Sequence, residues 1–267
     1  MRRYDLMEQL QHSRQVKLDL SQIPWTIMDL LKGTGVAIGI FVIVVIAMAF
    51  GTIAIIGPDT LQGLDFNDFT EMFAILKSQG VLNAWLILLF AVMVLGEGAM
   101  PLSAWLFSAR KYRCGWRSLG FRRFDLKRGL LLAAAIVGAG LLIGLLYEYL
   151  MEHAFNQTPS DMYTAFTDSG LGMATLAITA VLVAPLAEEV FFRGFLFPAI
   201  GRRYGLGWGV VVSGALFSIA HLGSGGLVPA FILGILLAWL YWKTGSLWPC
   251  ILTHFAYNSL VLIFMVI

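Results

Sequence analysis

Three formal charges interrupt the stretch APLAEEVFFRGFLF, Ala184 to Phe197, in a run otherwise suited to lipid. Glu189 and Arg193 are four apart in the favourable Glu-before-Arg order, so the spacing predicts an ion pair on one helix face. Glu188 points about 100° away from Glu189 and is left without an internal counter-charge. A carboxylate in that position can take a proton from water. Two further stretches carry imidazoles. FSIAH ends on His221, four residues after Phe217. THFAYN sets His254 and Asn258 four apart on a shared face, where a ring N–H and an amide N–H can both donate to one oxygen. A carboxylate, two imidazoles and an amide form a set that activates water and stabilises an oxyanion. Singly, each signal also has a structural reading: a buried ion network for Glu188, Glu189 and Arg193, a satisfied core residue for His221.

The elements that must position these residues are membrane helices. The chain has 267 residues, 59% of them hydrophobic and only 13% charged, against about 25% charged in soluble domains. A net charge of +2 gives no reason to expect a nucleic-acid partner. Two cysteines, Cys114 and Cys250, are too few for a disulfide scaffold. Apolar runs cover Gly35–Ile56, Val81–Phe107, Gly129–Leu150, Leu171–Phe192, Trp208–Ala220, Leu227–Trp242 and Leu247–Ile267. With about 20 apolar residues needed per crossing and no strand alternation, the expected fold is an all-α polytopic transmembrane bundle of seven or eight helices. Its site falls among the last four. Residues 1–34 are expected to form a cytoplasmic or interfacial segment and 35–267 the transmembrane domain. About thirty mostly polar residues precede the first apolar run with no cleavage site closing it, so that run is expected to be retained.

Basic residues orient the bundle. With the N-terminus inside and seven crossings, 17 of the 18 Lys and Arg residues fall on the inner side and only Lys77 outside. The basic loop Arg110–Arg128 reads as a topology anchor against anionic lipid. In that register Glu188 sits about one and a half turns from the inner end of its span and His254 about two turns from the inner start of its own, Asn258 one turn deeper. All can reach one cavity in the inner half of the bilayer. Glu97, in GEGAMP with Pro101, reads as a polar packing contact at a Gly-rich kink, the alternative being an acid that gates substrate or supports the site.

EEVFFR resembles the E-E-x-x-x-R signature of the CPBP intramembrane proteases, the group that includes type II CAAX prenyl endopeptidases and bacteriocin-immunity membrane proteins. FSIAH is similar to its F-x-x-x-H box and HFAYN to its H-x-x-x-N/D box. The similarity covers roughly 171–260, and WRSLGF at Trp116–Phe121 resembles a segment often found upstream. The resemblance implies an endopeptidase acting on a membrane-associated or lipidated peptide. Glu188 with His221 would activate the water, His254 and Asn258 would form the oxyanion hole, and Glu189 with Arg193 would support them. It implies no required cofactor in the favoured mechanism; the alternative is a catalytic zinc held by Glu188, His221 and His254. Expected partners are a peptide or lipidated protein substrate and membrane lipid, with no nucleic acid. The expected location is multi-pass in the plasma membrane of a prokaryote, N-terminus cytoplasmic. Two rival readings are a non-catalytic immunity or scaffold protein and an ion-coupled transporter. A transporter needs polar residues strung to both faces, whereas here they cluster on one side.

Overall fold

A computed structural model describes residues 17–61, 69–155, 166, 169–222 and 226–266. Among these residues there is no strand, and the architecture is an all-α bundle of helices. The principal helices are α1 (Ile27–Ile56), α2 (Phe69–Ser78), α3 (Leu82–Arg110), α4 (Leu126–Phe155), α5 (Gly170–Tyr204), α6 (Leu206–Ala220), α7 (Leu227–Thr244) and α8 (Leu247–Val266). Six of the eight, all but α2 and α6, are long and apolar enough to cross a membrane. Their outer faces carry exposed aliphatic and aromatic side chains such as Ile43, Phe50 and Leu142, while Glu188, Glu189 and Arg193 are buried. Apolar outside and charged inside is the arrangement a bilayer demands.

Two expectations change. The stretch counted as a fifth crossing forms α6, which has 15 residues. That length spans about 22 Å, short of a hydrocarbon core of about 30 Å. The fourth crossing, expected to end at Phe192, continues as α5 to Tyr204. Arg193, one of the 17 basic residues counted on the inner side, is fully buried beside Glu189 and so reports nothing about membrane sidedness.

Local chemistry explains the helix limits. α1 begins at a capping box: the Thr26 hydroxyl accepts from the Asp29 N–H and the Asp29 carboxylate accepts from the Thr26 N–H. The same buried carboxylate pairs with Lys111 and accepts from the Tyr112 hydroxyl, tying the start of α1 to the chain after α3. The segment before α1 is packed into the bundle. Leu18, Ile23 and Trp25 are buried, the Leu18 N–H donates to Trp242 O, and Trp25 Nε1 donates to Phe195 O. Residues 1–16 of the expected interfacial segment lie outside the described residues.

α2 lies in a stretch read from sequence as a loop. Its Met72, Phe73 and Leu76 pack with Trp85, Leu86 and Phe166 in a small second core. The main core gathers Phe191, Phe195, Phe197, Phe217 and Tyr241 around α5. Helices cross closely where glycines meet. A Cβ on Gly234 of α7 would lie 2.8 Å from the Gly214 Cα of α6, and one on Gly209 of α6 would lie 2.9 Å from the Gly201 Cα of α5. Small residues at both crossings let backbones touch, the usual device of helix packing in membranes.

α5 is not uniform. It widens to π-helical hydrogen bonding at Ile178–Val183 and again at Glu189–Leu196. Each wide stretch runs into a proline two residues past its end, Pro185 and Pro198. A proline inside a helix lacks an N–H and its ring clashes with the carbonyl four residues back, which a wider turn relieves.

Candidate active site

The second wide stretch of α5 carries the charged cluster. Arg193 Nη1 donates to Glu189 Oε1 at 2.9 Å, the pair expected from the i, i+4 spacing, and both side chains are fully buried. Arg193 Nη2 also donates to Gly234 O of α7 at 3.2 Å. His254 of α8 completes the cluster: its Nδ1 lies 3.0 Å from the same Glu189 Oε1. A carboxylate there accepts a hydrogen bond from Nδ1–H and leaves Nε2 facing the other way. Glu189 therefore holds an arginine from its own helix and a histidine from another, a contact with His254 that sequence spacing could not reveal.

His254 Nε2 points to Glu188, 3.8 Å from Oε2, and His221 Nε2 lies 4.0 Å from Oε1. Both separations exceed a hydrogen bond and suit a bridging water. Glu188 is 7% exposed, and its Oε2 is buried with no hydrogen bond among the described residues. His221 stands at the C-terminal end of α6, its Nδ1 2.8 Å from Phe217 O, with 29% of its side chain exposed. It forms the wetter edge of the cluster. The structure thus brings Glu188, His221 and His254 to one point from three helices.

Phe217 is what these groups share. Its buried ring lies 4.5 Å from the His221 ring and 5.6 Å from the His254 ring, centre to centre, and the Arg193 guanidinium sits 4.3 Å from its centre. An aromatic face is a favourable surface for a desolvated cation. The phenylalanine four residues before His221 therefore orders the site as well as the core.

Asn258 has a definite partner. Ala184 N donates to Thr179 O, five residues back. In that register the next donor would be Pro185 N onto Ala180 O, and proline has no N–H to give. Asn258 Nδ2 donates to Ala180 O instead, at 2.7 Å. The amide of α8 fills the bond that the proline of α5 leaves open, and one amide hydrogen remains for another acceptor. In the second wide stretch, Phe192 O accepts from the Ser213 hydroxyl as well as from the Phe197 N–H, and Phe195 O accepts from Trp25 Nε1.

Glu97 approaches the same region from α3, within electrostatic reach of Glu188, and its Oε2 is buried with no hydrogen bond among the described residues. Sequence reading left it as a packing contact; Pro101 four residues on, inside the helix, was the available signal. Among the described residues no group of three or more His, Cys, Asp or Glu side chains is placed to hold a metal ion, the candidate zinc set Glu188, His221 and His254 included. Cys114 and Cys250 are unpaired.

Comparison with known proteins shows what the segment carrying this constellation is similar to. Residues 170–260 match the family model described as type II CAAX prenyl endopeptidase Rce1-like. The resemblance carried by the three boxes is borne out over that segment. Among curated proteins, the chain is 27% identical over 104 residues to "Putative membrane peptidase YdiL" of Bacillus subtilis (strain 168), covering 39% of this chain and 43% of that protein. It is 30% identical over 78 residues to "UPF0177 protein YxdF" of Lactococcus lactis subsp. lactis (strain IL1403), covering 29% of this chain and 42% of that protein. Each match spans less than half of the relative. No solved structure matches the chain.

Proposed function

We propose that this protein is an intramembrane endopeptidase that hydrolyses a peptide bond in a membrane-associated or lipidated substrate, with Glu188 as the general base. One observation carries the reading: a buried Glu188 carboxylate without a hydrogen-bonded partner on Oε2, flanked at 3.8 and 4.0 Å by the Nε2 atoms of two histidines. A water between Glu188 and His221 is within reach of both. Glu188 takes one of its protons as the oxygen bonds to the scissile carbonyl carbon. The carbonyl oxygen gains the negative charge. His254, its ring held at Nδ1 by Glu189, presents Nε2 toward that oxygen, and Asn258 supplies its remaining amide hydrogen. The C–N bond then breaks, and the proton held on Glu188 passes to the departing amine. Each donor is held in place before the charge develops, which is where such groups are most effective. No step here calls on a metal.

The Lys and Arg residues flanking α1, α3, α4 and α5 favour a cytoplasmic N-terminus and put the Tyr204 end of α5 on the same side. Purified protein incubated with paired lipidated and unlipidated peptides, with and without chelator, tests the reading. Cleavage that resists chelator and disappears in Glu188→Ala and His221→Ala supports it. Full activity in folded Glu188→Ala overturns the role of Glu188, and loss of activity with chelator overturns the metal-free steps. Intact biological function in folded but non-cleaving variants points to the scaffold reading.

A further inference from the structure

We propose that the loop between α3 and α4 is a built site for a phosphate group, namely the headgroup phosphate of an anionic lipid. A cavity of about 410 Å³ lies in this loop, lined by Cys114, Arg117, Ser118, Arg122 and Arg123. It is separate from the Glu188 cluster, and the proposal stands whether or not the protein is a peptidase. From Arg110 to Arg128 the chain has eight basic residues and one acid, Asp125, a net charge of +7. Asp125 is engaged in accepting from the Arg128 N–H. Neither Arg117 nor Arg123 has an acidic partner among the described residues, and both are exposed. Arg122 spends its Nε and Nη2 donors on Arg117 O and Ser118 O, fixing the shape of the wall.

The loop is anchored. Tyr241 donates its hydroxyl to Leu119 O, the Ser246 hydroxyl donates to Arg122 O, and the Leu247 N–H donates to Gly120 O. Gly120 has φ 111°, a conformation that side chains disfavour, which lets the chain turn back toward these anchors. Two unpaired guanidiniums on a fixed backbone fit the tetrahedral, multiply accepting oxygens of phosphate. The volume far exceeds one inorganic phosphate and leaves room for a glycerol headgroup. Depth favours the lipid source. The rings of Trp105, Trp116, Phe121 and Trp248 form a continuous chain beside the loop, with successive centres 6.3, 5.8 and 5.5 Å apart. Tryptophans collect at headgroup level.

The protein carries its own probe. Cys250 is wholly buried, so Cys114 at the cavity wall is the thiol that a neutral alkylating reagent meets in folded protein. In nanodiscs of phosphatidylcholine, adding phosphatidylglycerol is expected to slow Cys114 alkylation several-fold. Arg117→Gln/Arg123→Gln erases the slowing, and Lys127→Gln/Arg128→Gln, with the same charge removed outside the cavity, keeps it. One reactive thiol per chain verifies that each variant is folded. Equal slowing by inorganic phosphate in phosphatidylcholine alone keeps the site but assigns it free phosphate. No slowing by either, or slowing that both double variants lose or keep equally, overturns the site and leaves only a general surface charge.

Discussion

If Asn258 substitutes for the N–H missing from Pro185, removing the amide has a defined cost and a defined cure. Asn258→Ala leaves Ala180 O without its 2.7 Å donor inside the bundle. A buried carbonyl stripped of its partner costs about 1–3 kcal/mol. Side-chain hydrogen bonds within membrane bundles measure lower, about 0.6 on average and up to about 1.7. A loss of about 1–2 kcal/mol is therefore expected, a factor of roughly 5 to 30 in the folding equilibrium. Pro185→Ala supplies a backbone N–H at the position where the register of Ala184 N onto Thr179 O places the next donor. In a Pro185→Ala background, Asn258→Ala is expected to cost only a few tenths of a kcal/mol, because the carbonyl now has a backbone donor. Reversible unfolding in mixed micelles titrated with sodium dodecyl sulfate measures all four corners of this cycle, and its coupling energy is the quantity of interest. Additive losses would refute the substitution of one donor for another. Activity separates the two uses of Asn258: the double variant regains stability but not an amide to face an oxyanion.

Other expectations follow from single contacts. Glu189→Gln strips the carboxylate from a fully buried arginine and is expected to cost about 3–5 kcal/mol in the same unfolding assay, whereas replacing both Glu189 and Arg193 by Leu and Met costs much less; equal losses would contradict a paired charge. Phe217→Ala removes the ring that both histidines and Arg193 share and should cost about 3–5 kcal/mol, with the His221 and His254 imidazole NMR signals broadened; a stable variant with unchanged signals would sink that role. Gly234→Ala puts a methyl 2.8 Å from the Gly214 Cα, so overpacking of about 1–3 kcal/mol is expected at the α6–α7 crossing, and an unchanged midpoint would refute the close contact. The Asp29 anchor has a pH signature readable at Lys111 and Tyr112: hydrogen bonding to Asp29 is the main cause raising both above their ordinary values. A raised folded value means the stabilisation is complete below the unfolded value and is lost as pH rises through the folded one. The anchor therefore holds at neutral pH and weakens above about pH 10; heat unfolding at mildly and strongly alkaline pH, compared with Lys111→Met, shows a narrowing gap between the two proteins if this is right and a constant one if it is not.

Much of the site was legible because helix periodicity is rigid. Glu189 and Arg193 had to share a face at four residues' spacing, and they meet at 2.9 Å. The apolar runs announced the long helices for the same reason. What stayed hidden depended on departures from that periodicity and on contacts between helices. The wide stretches of α5 leave no compositional mark beyond the prolines that follow them. The end of α5 was misplaced because a charge usually marks a membrane boundary, and here Arg193 is neutralised inside the bundle. The contact of His254 with Glu189 joins residues 65 apart in sequence. No spacing rule reaches that far.

The stretch from Leu18 to Trp25 has a practical consequence. It is wedged into the bundle ahead of the first long helix, with Trp25 hydrogen-bonded to Phe195 O, two residues past Arg193. A cut, a bound partner or a fused tag that pulled on this strap would tug directly on the backbone beneath the charged cluster. Trimming the protein back to the start of the first long helix would remove that brace along with the tail.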